Sequence, residues 1–203
     1  MIKVIDYGLG NIRAFVNIYE SLNIPVMTVS RPDQLTPEDK FILPGVGTFD
    51  SAMKRLEKSG MIEVLNELVL SKGCPILGVC VGMQIMGAKS DEGELGGLNW
   101  IPGIVRKIST TNLKRLPQLP HLGWNSVTPY NGDCIFKNIA SERFYFLHSY
   151  QFEPENTTNA LAYTNYGSNF VSSIRKSNIY GVQFHPEKSH DSGVHLLKNF
   201  AEL

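Results

Sequence analysis

The chain has 203 residues, of which 42% are hydrophobic and 19% are charged, as in an ordinary globular domain. Its 19 basic and 19 acidic residues give a formal net charge of zero without a basic run, which argues against a nucleic-acid or membrane-surface partner. No apolar stretch approaches the roughly 20 residues of a membrane-spanning helix, and the sequence opens directly into a predicted strand, so we expect no leader peptide.

In the first half of the chain, apolar runs alternate with segments of helical periodicity. Strands are predicted at residues 2–5, 25–29, 40–43 and 75–79, and helices at residues 12–22, 49–57 and 62–70. Continuous apolar strands separated by helices are typical of a parallel sheet that is covered on both faces. The pattern therefore predicts an α/β fold with a central, mostly parallel sheet and helices on both of its faces.

From about residue 99 the pattern changes to shorter strand-like runs separated by turn residues. Further strands are predicted at residues 104–108, 124–127, 143–146, 159–163 and 170–175, and a final helix at residues 192–200. We expect these strands to extend the central sheet in the antiparallel direction. Residues 90–98 and 110–118 are predicted to be surface loops, and the whole chain, 1–203, is predicted to be one domain.

The most informative segment follows the predicted strand 75–79 and reads Gly78-Val79-Cys80-Val81-Gly82. A strand, a tight turn between glycines and a following helix, expected at residues 82–88, form a nucleophile elbow that presents one reactive side chain. The start of that helix would favour a thiolate at Cys80. A buried turn of an ordinary α/β protein is the alternative interpretation of this segment.

The chain has three cysteines, and Cys74 and Cys134 form no Cys-x-x-Cys pair with each other or with Cys80. An odd number of cysteines at these spacings predicts neither a disulfide framework nor a zinc site. We expect Cys74 and Cys134 to be unreactive and at least partly buried. A free catalytic thiol at Cys80 fits a reducing cytoplasm, which is the predicted location.

A second candidate segment lies near the end of the sequence, where a predicted buried strand at residues 179–184 runs into His185-Pro186-Glu187. Side chains two residues apart on an extended chain point the same way, and Pro186 is expected to keep this stretch extended. A histidine base oriented by a carboxylate would complete a triad with Cys80. A histidine at a strand end is more often a core or surface residue, so this assignment depends on the pairing with Cys80.

Two glycine-rich loops follow predicted strands. The loop Pro44-Gly45-Val46-Gly47 is suited to present a backbone N–H to a tetrahedral oxyanion, with the N–H of Val81 as the second donor. The loop Gly8-Leu9-Gly10 resembles the start of a dinucleotide fingerprint, but Arg13 occupies the third glycine position and no acidic residue ends the second strand. A nicotinamide cofactor is therefore not expected, nor is any other cofactor or metal.

Together these segments resemble the signature blocks of the class I, or triad, glutamine amidotransferases. The blocks that carry the resemblance are Asp6-Tyr7-Gly8-Leu9-Gly10-Asn11, Pro44-Gly45-Val46-Gly47, Gly78-Val79-Cys80-Val81-Gly82-Met83-Gln84, Pro120-His121-Leu122-Gly123-Trp124-Asn125, Phe146-Leu147-His148-Ser149-Tyr150 and Val182-Gln183-Phe184-His185-Pro186-Glu187-Lys188-Ser189. They occur in the expected order over essentially the whole chain. Within the class they are most similar to the HisH subfamily, the glutaminase subunits of imidazole glycerol phosphate synthase.

The resemblance implies hydrolysis of glutamine through a γ-glutamyl thioester. Cys80 would be the nucleophile, His185 the general base and acid, and Glu187 the residue that orients His185. The oxyanion donors would be the N–H groups of Val46 and Val81. The residues that would bind glutamine are Gly45, Gly47, Gln84, His148, Ser149 and Tyr150. The residues that would face the partner, where ammonia leaves, are Asn11, Trp124, Asn125, Tyr145 and Lys188.

The 203 residues are expected to form the amidotransferase domain alone, so we expect the acceptor of the ammonia to lie on another subunit. The resemblance implies a heterodimer with a HisF-type cyclase subunit, which forms imidazole glycerol phosphate and the purine precursor AICAR in histidine biosynthesis. Segments 119–124 and 189–193 also resemble HisH-like paralogues that supply ammonia to a sugar amidotransferase for acetamidino sugars of surface polysaccharides, and this alternative stays open. A cysteine peptidase or a γ-glutamyl peptide hydrolase would leave Gln84 and the Gly-Trp-Asn block unexplained. A catalytically inactive binding module would not need the triad.

Overall fold

The computed structural model of the protein describes residues 1–113, 118–130, 134–139 and 141–203, so the predicted loop 110–118 lies partly outside the described residues. The helices are α1 Ile12–Ser21, α2 Phe49–Lys58, α3 Ile62–Asn66, α4 Val81–Gln84 and α5 His190–Ala201. The strands are β1 Ile2–Ile5, β2 Val26–Val29, β3 Lys40–Gly45, β4 Ile76–Cys80, β5 Lys89–Ser90, β6 Gly103–Lys107, β7 His121–Ser126, β8 Thr128–Pro129, β9 Arg143–His148, β10 Tyr150–Pro154, β11 Ala160–Tyr166, β12 Ser168–Lys176 and β13 Ile179–Val182.

The central sheet has eight strands in the order β2-β1-β3-β4-β13-β12-β11-β8. The first five strands in this order, β2, β1, β3, β4 and β13, pair in parallel. The remaining three, β12, β11 and β8, join in the antiparallel direction. The predicted parallel sheet with added antiparallel strands is therefore confirmed. Although β13 comes near the end of the chain, it lies next to β4, with Val182 opposite Val79. The carboxyl ends of these two strands consequently meet at one edge of the sheet.

The expectation that all strands of the second half extend the central sheet is wrong for two groups of strands. One group, β10, β6 and β5, forms a separate three-stranded sheet, and β7 pairs with β9 in a two-stranded antiparallel ribbon. The ribbon pairs along its whole length, from His121 opposite His148 to Ser126 opposite Arg143. Because these strands satisfy one another's backbone hydrogen bonds, they need no edge of the central sheet.

Two helices differ from their predictions. The helix expected at residues 82–88 is only the single turn α4, because the Ala88 N–H donates to the Gly103 carbonyl (2.9 Å) and the chain joins the small sheet beside β6. The helix expected at residues 62–70 is α3 followed by a π-helical turn, Glu67–Ser71. A helix of one turn has only a small dipole, so the electrostatic support that we expected for Cys80 from a longer helix is weak.

The end of the chain folds back onto the carboxyl end of β13. A 3₁₀ turn, Pro186–Lys188, leads into α5, and a Cβ on Gly193 in the first turn of α5 would collide with the Pro186 carbonyl oxygen. The helix is also tied to α1, because the Tyr19 hydroxyl donates to the Leu197 carbonyl (3.1 Å) inside the core. The position of the 3₁₀ turn therefore depends on the packing of both helices.

The two cysteines outside the elbow differ in exposure. Cys74 is buried as expected, but Cys134 is exposed, because Ile135 and Phe136 occupy the buried positions of the same short turn. Across the described ranges, no helix combines the length and the apolar character needed to cross a membrane. In the same part of the chain, no three His, Cys, Asp or Glu side chains come together as a metal site would require.

We expect Gly193→Ala to lower the free energy of unfolding by about 2 kcal/mol, because the added methyl group must push the Pro186 carbonyl away. Urea denaturation of the wild type and the variant measures the difference. Gly96→Ala is the matched control, since its Cβ would meet only the Ala88 carbonyl oxygen at an ordinary 3.9 Å. Equal stability of the two variants would contradict this account of how α5 packs.

Candidate functional site

Cys80, the last residue of β4, stands in a strained turn. Its backbone has φ 55° and ψ −112°, a combination that residues other than glycine rarely adopt. The neighbouring glycines permit the turn, because a Cβ on Gly78 would lie 2.7 Å from the Gly82 carbonyl oxygen, and one on Gly82 would collide with the Leu43 carbonyl oxygen. The tight turn predicted from the sequence is present, and α4 begins at the next residue, Val81.

His185 and Glu187 lie beside Cys80 because β13 ends next to β4. Nδ1 of His185 lies 2.9 Å from Oε1 of Glu187, and their side chains are only 3% and 2% exposed. The other ring nitrogen is thus left for Cys80, which lines the same cavity and whose interaction with His185 raises the pKa of that histidine. The three residues that the sequence predicts to act together are thus in contact.

Glu187 reaches His185 by a different backbone path from the one we expected. His185 itself is extended, but Pro186–Lys188 is a 3₁₀ turn, so the chain folds back instead of continuing extended. Pro186 suits the first position of this turn, because its φ is fixed near the helical value and it has no N–H to satisfy. Ser189 holds the turn, since its hydroxyl donates to the His185 carbonyl (2.6 Å).

His185 keeps its proton at neutral pH. Burial lowers the pKa of His185, but its hydrogen bonds with Cys80 and Glu187 outweigh burial and raise the pKa to about 10. A protonated imidazole beside a cysteine is the arrangement that favours a thiolate. Burial, assisted by negative charge on Cys80, also raises the pKa of Tyr7 well above its ordinary value, so this phenol stays neutral. Its hydroxyl donates to the Pro44 carbonyl (2.7 Å), at the start of the glycine-rich loop after β3.

The sulfur opens into a cavity of about 260 Å³, below the roughly 300–1,000 Å³ of sites for drug-sized ligands and therefore suited to a small metabolite. The lining consists of Val46, Gly47, Cys80, Val81, Gln84, Glu92, Pro120, Leu147, His148, Ser149, Tyr150 and His185. Gly45 belongs to the predicted binding residues but not to this lining. It pairs with Cys80 across the sheet, and a Cβ on it would lie 2.5 Å from the Gly82 nitrogen. Gly45 thus permits the close packing of α4 on β3 behind the cavity.

Two glutamines connect the cavity wall with the sulfur. Gln84 Nε2 donates to the Tyr150 carbonyl (3.2 Å) and to Gln183 Oε1 (3.0 Å). Gln183 Nε2 in turn donates to Cys80 Sγ, 3.7 Å away. Gln84 lies at the cavity as predicted, whereas the sequence reasoning gave Gln183 no role. Its position two residues before His185 at the same strand end is the signal that points to it.

His148 is neutral, and its ring is bound within the protein. Burial and the nearby His121 lower the pKa of His148 to about 3, and a hydrogen bond to the Tyr150 carbonyl opposes this only in part. Because that carbonyl can only accept, His148 Nδ1 donates to it (2.7 Å) and Nε2 accepts from His121 Nδ1 (2.9 Å). His121 Nε2 then accepts from Asn125 Nδ2 (3.1 Å). A directed chain of hydrogen bonds therefore runs from Asn125 to the cavity wall.

Glu92 is a cavity residue that the sequence reasoning missed, because residues 90–98 read as a surface loop. Its Oε2 accepts from the Phe49 N–H (2.9 Å) at the start of α2, which holds the carboxylate at the cavity. The acidic, glycine-rich composition of this segment offers no signal that separates an inward-facing carboxylate from a solvated one.

The aromatic residues predicted to face a partner, the exposed Trp124 and the half-buried Tyr145, form a small cluster at the surface. Trp124, 40% exposed, stacks on His190 with ring centroids 5.2 Å apart and meets Tyr145 edge-on. Lys188 Nζ lies 5.9 Å from the centroid of the Tyr145 ring. Leu122, on the same strand as Trp124, is also exposed. The cluster therefore offers stacked aromatic and apolar side chains together with one cation.

The two asparagines of the predicted partner face have different surroundings. Asn11 is exposed directly before α1, and its side chain makes no capping hydrogen bond to that helix. Asn125 is half-buried, and its Nδ2 donates to His121 and to the Asn165 carbonyl (2.9 Å). Asn11 is thus available to another molecule, whereas much of Asn125 is bound within this chain.

We expect acid to destabilise the protein through His148. Its pKa is about 3 when folded and near 6.5 when unfolded, so its contribution to stability is complete above pH 6.5 and is lost as the pH falls towards 3. Between pH 7 and pH 5 this loss amounts to about 2 kcal/mol in the free energy of unfolding.

Urea denaturation at the two pH values measures this loss. In His148→Gln, whose amide can both donate and accept but does not titrate, we expect the drop to be smaller by about that amount. The exposed His195 supplies the matched control, His195→Gln, whose drop should equal that of the wild type. An unchanged drop in His148→Gln would contradict the assignment.

Comparison with known proteins identifies the family. Residues 3–203 match the family model of glutamine amidotransferase class-I. The imidazole glycerol phosphate synthase subunit HisH of Bdellovibrio bacteriovorus is 52% identical to this chain, and that of Leptospira interrogans is 47% identical. Each alignment covers 100% of this chain and 100% of the relative.

Solved structures of similar fold are more distant in sequence. One described as a glutamine amidotransferase superimposes with a TM-score of 0.75 at 17% identity, covering 100% of this chain and 99% of its own. PurLQS from Thermotoga maritima gives 0.74 at 17% identity, covering 99% of this chain and 97% of its own. These structures support the fold, and the match of residues 3–203 to the family model identifies the family. The chain belongs to the class I glutamine amidotransferases.

Proposed function

We propose that this chain is the glutaminase subunit of an imidazole glycerol phosphate synthase, which hydrolyses L-glutamine to glutamate and ammonia for histidine biosynthesis. The observation that carries the proposal is the contact of Cys80, His185 and Glu187 at a cavity suited to a small metabolite. The relatives named HisH, 52% and 47% identical over their full lengths, support it. Residues 1–203 act as a single amidotransferase domain, and a free catalytic thiol suits a cytoplasmic enzyme.

Cys80 is the nucleophile of the first half-reaction. Its thiolate attacks the side-chain amide carbon of glutamine, and the N–H groups of Val46 and Val81 bind the resulting oxyanion. The proton of His185 passes to the amide nitrogen, the C–N bond breaks, and ammonia leaves behind a γ-glutamyl thioester on Cys80. The raised pKa of His185 suits this step, because the proton is already on the ring when glutamine binds.

Water completes the reaction. His185, now neutral, takes a proton from a water molecule whose oxygen attacks the thioester carbon. The C–S bond then breaks, which releases glutamate and returns Cys80 to a thiolate beside a protonated His185. Glu187 keeps the imidazole in one tautomer through its 2.9 Å hydrogen bond to Nδ1 and stabilises the positive ring in both resting and final states.

The α-amino acid end of glutamine carries a positive and a negative group, and the cavity must accommodate both. The Glu92 carboxylate, held by the Phe49 N–H, is placed to bind the α-ammonium group. Gly47, Gln84, His148, Ser149 and Tyr150 form the remaining wall around the substrate, and Gly45 supports that wall from behind.

Ammonia released into water at neutral pH is mostly protonated and is not nucleophilic, so the acceptor must be docked. The proposed partner is a HisF-type cyclase subunit, which joins ammonia to a phosphoribulosyl intermediate and yields imidazole glycerol phosphate and AICAR. The docking surface comprises Asn11, Trp124, Asn125, Tyr145 and Lys188. Val46 is 41% exposed and also lines the cavity, so a docked partner is able to act on the oxyanion loop.

The sugar-pathway alternative shares the glutaminase half-reaction and differs only in the acceptor of the ammonia. The names of the relatives from Bdellovibrio bacteriovorus and Leptospira interrogans favour imidazole glycerol phosphate synthase over a sugar amidotransferase. The acceptor is therefore assigned to the histidine pathway, and the partner used in the following assay tests that assignment.

We expect this chain alone to release glutamate slowly, and a HisF-type cyclase with its phosphoribulosyl ligand to raise the rate about a hundredfold, the worth of one oxyanion donor. Cys80→Ala should abolish glutamate release under both conditions while leaving cyclase binding intact. Enzymatic detection of glutamate measures the rates. The histidine assignment would be overturned if the cyclase did not stimulate glutamate release and a polysaccharide-pathway partner did.

We expect Glu92→Gln to raise the KM for glutamine about ten- to hundredfold with a smaller change in kcat, because the amide loses the charge that pairs with the α-ammonium group. The amide oxygen of the variant can still accept from the Phe49 N–H. Glu94→Gln, at an exposed position two residues away, is the matched control and should leave the KM unchanged. A KM that responds equally to both substitutions would exclude this role of Glu92.

A further inference from the structure

Gln183 is a buried polar residue to which the mechanism above gives no part. It is 0% exposed and lies between the end of β13 and His185. Its backbone N–H donates to the Ser172 carbonyl (2.9 Å) and needs no further acceptor. The side-chain amide points instead into the site, with Nε2 3.7 Å from Cys80 Sγ and Oε1 accepting from Gln84 Nε2 at 3.0 Å. A buried amide placed in this way calls for an explanation.

The orientation of the Gln183 amide is determined by its neighbours. The Tyr150 carbonyl can only accept, so the Gln84 atom that faces it (3.2 Å) must be the donor Nε2. That same nitrogen faces Gln183 and requires an acceptor there, which is Oε1. If the Gln183 amide were flipped, its NH₂ group would face the NH₂ group of Gln84, and its carbonyl oxygen would face the sulfur. The donor Nε2 is therefore presented to Cys80.

We propose that Gln183 is a positioning residue that donates an N–H to Cys80 Sγ and so stabilises the attacking thiolate and fixes its direction. The proposal rests on the glutaminase function proposed above. A sulfur anion accepts a hydrogen bond more strongly than a neutral thiol, so the contact favours the reactive form. The chain from Tyr150 through Gln84 to Gln183 keeps this donor in place before glutamine binds, which removes the need for reorganisation during attack.

The ionisable groups nearest the sulfur are His185, which is protonated at neutral pH, and Tyr7, which is neutral there. Glu92 and Tyr150 line the same cavity. Glu187 acts on the sulfur through His185, and the neighbouring His148 carries no charge. None of these groups changes when Gln183 is replaced by an uncharged residue. A change in the pH dependence of Cys80 in such a variant is therefore attributable to the lost N–H.

The test is the rate of Cys80 alkylation by iodoacetamide as a function of pH in the full-length chain, with Cys80 modification followed by peptide mass spectrometry. We expect Gln183→Met to raise the pH midpoint of alkylation by about one unit, which slows the reaction about tenfold at a pH below both midpoints. Gln183→Glu has the same shape but replaces the donor by a carboxylate that repels a thiolate. We expect it to raise the midpoint at least as far.

Ser173→Ala is the matched control, because it deletes another fully buried hydrogen bond on the adjoining strand, from Ser173 Oγ to the Gly181 carbonyl (2.9 Å). Its midpoint should equal that of the wild type. The proposal is overturned if Gln183→Met and Gln183→Glu keep the wild-type midpoint, or if Ser173→Ala shifts it equally. If Gln183→Met does not fold, Gln183→Leu, which also lacks the N–H and adds no charge, decides between these outcomes.

Alkylation needs no glutamine, so the result does not depend on whether the proposed function is correct. If glutaminase activity is then measured with the cyclase, we expect Gln183→Met to lower kcat about tenfold with little change in KM, because the lost contact is to the nucleophile and not to the substrate. A shifted midpoint without any glutaminase activity in the wild type would retain the role of Gln183 and reject the glutaminase function.

Discussion

The site depends on one close backbone contact, the packing of the single turn α4 directly against strands β3, β4 and β13. Gly78 lies opposite Gly181 in the parallel pairing of β4 and β13, and a Cβ on Gly181 would lie 2.6 Å from Cγ of Met83 in α4. Between α4 and β3 the contact is between backbones, since a Cβ on Gly45 would meet the Gly82 nitrogen and a Cβ on Gly82 would meet the Leu43 carbonyl oxygen. The elbow is therefore held in its strained conformation largely by main-chain atoms. The sulfur of Cys80 therefore stands at the sheet edge where β13 delivers His185.

Two buried histidines at the same cavity are held in opposite protonation states by their partners. His185 faces the Glu187 carboxylate and the Cys80 sulfur, both of which favour a positive ring. His148 faces the Tyr150 carbonyl and a second imidazole, His121, so burial prevails and the ring stays neutral. In the proposed mechanism the first arrangement provides an acid for the leaving ammonia. The second provides a rigid, uncharged wall that does not compete for that proton.

The hydrogen bonds of the site form a connected set with defined directions. One branch runs from Asn125 through His121 and His148 to the Tyr150 carbonyl, and the other runs from Gln84, which donates to the same carbonyl, through Gln183 to the sulfur. The Tyr150 carbonyl thus accepts two donors and joins the branches. Since Asn125 follows the exposed Trp124, the proposed docking surface and the nucleophile are linked by a continuous polar path.

Local patterns in the sequence were enough to predict the three residues of the triad and a parallel sheet in the first half of the chain. Cys80 between Gly78 and Gly82 defines an elbow by sterics alone, and the apolar runs of the first half define a buried sheet by their periodicity. The family resemblance added the glutamine substrate and the role of Gln84, because those blocks are specific to the class. These features depend on few neighbours along the chain, which explains why sequence patterns reveal them.

Other features depend on contacts between residues far apart in the sequence, and local patterns do not contain them. The Pro186–Lys188 turn, which we expected to be extended, is set by α5 and Ser189, and the length of α4 is set by the pairing of Ala88 with Gly103. The same is true of Glu92 and Gln183, whose carboxylate and amide face the cavity only because α2 and Gln84 hold them there. The sequence by itself determined which chemical groups are available and where the chain turns sharply. Only the tertiary structure decided their partners, protonation states and directions, because burial and hydrogen bonding act between segments that are adjacent in space alone.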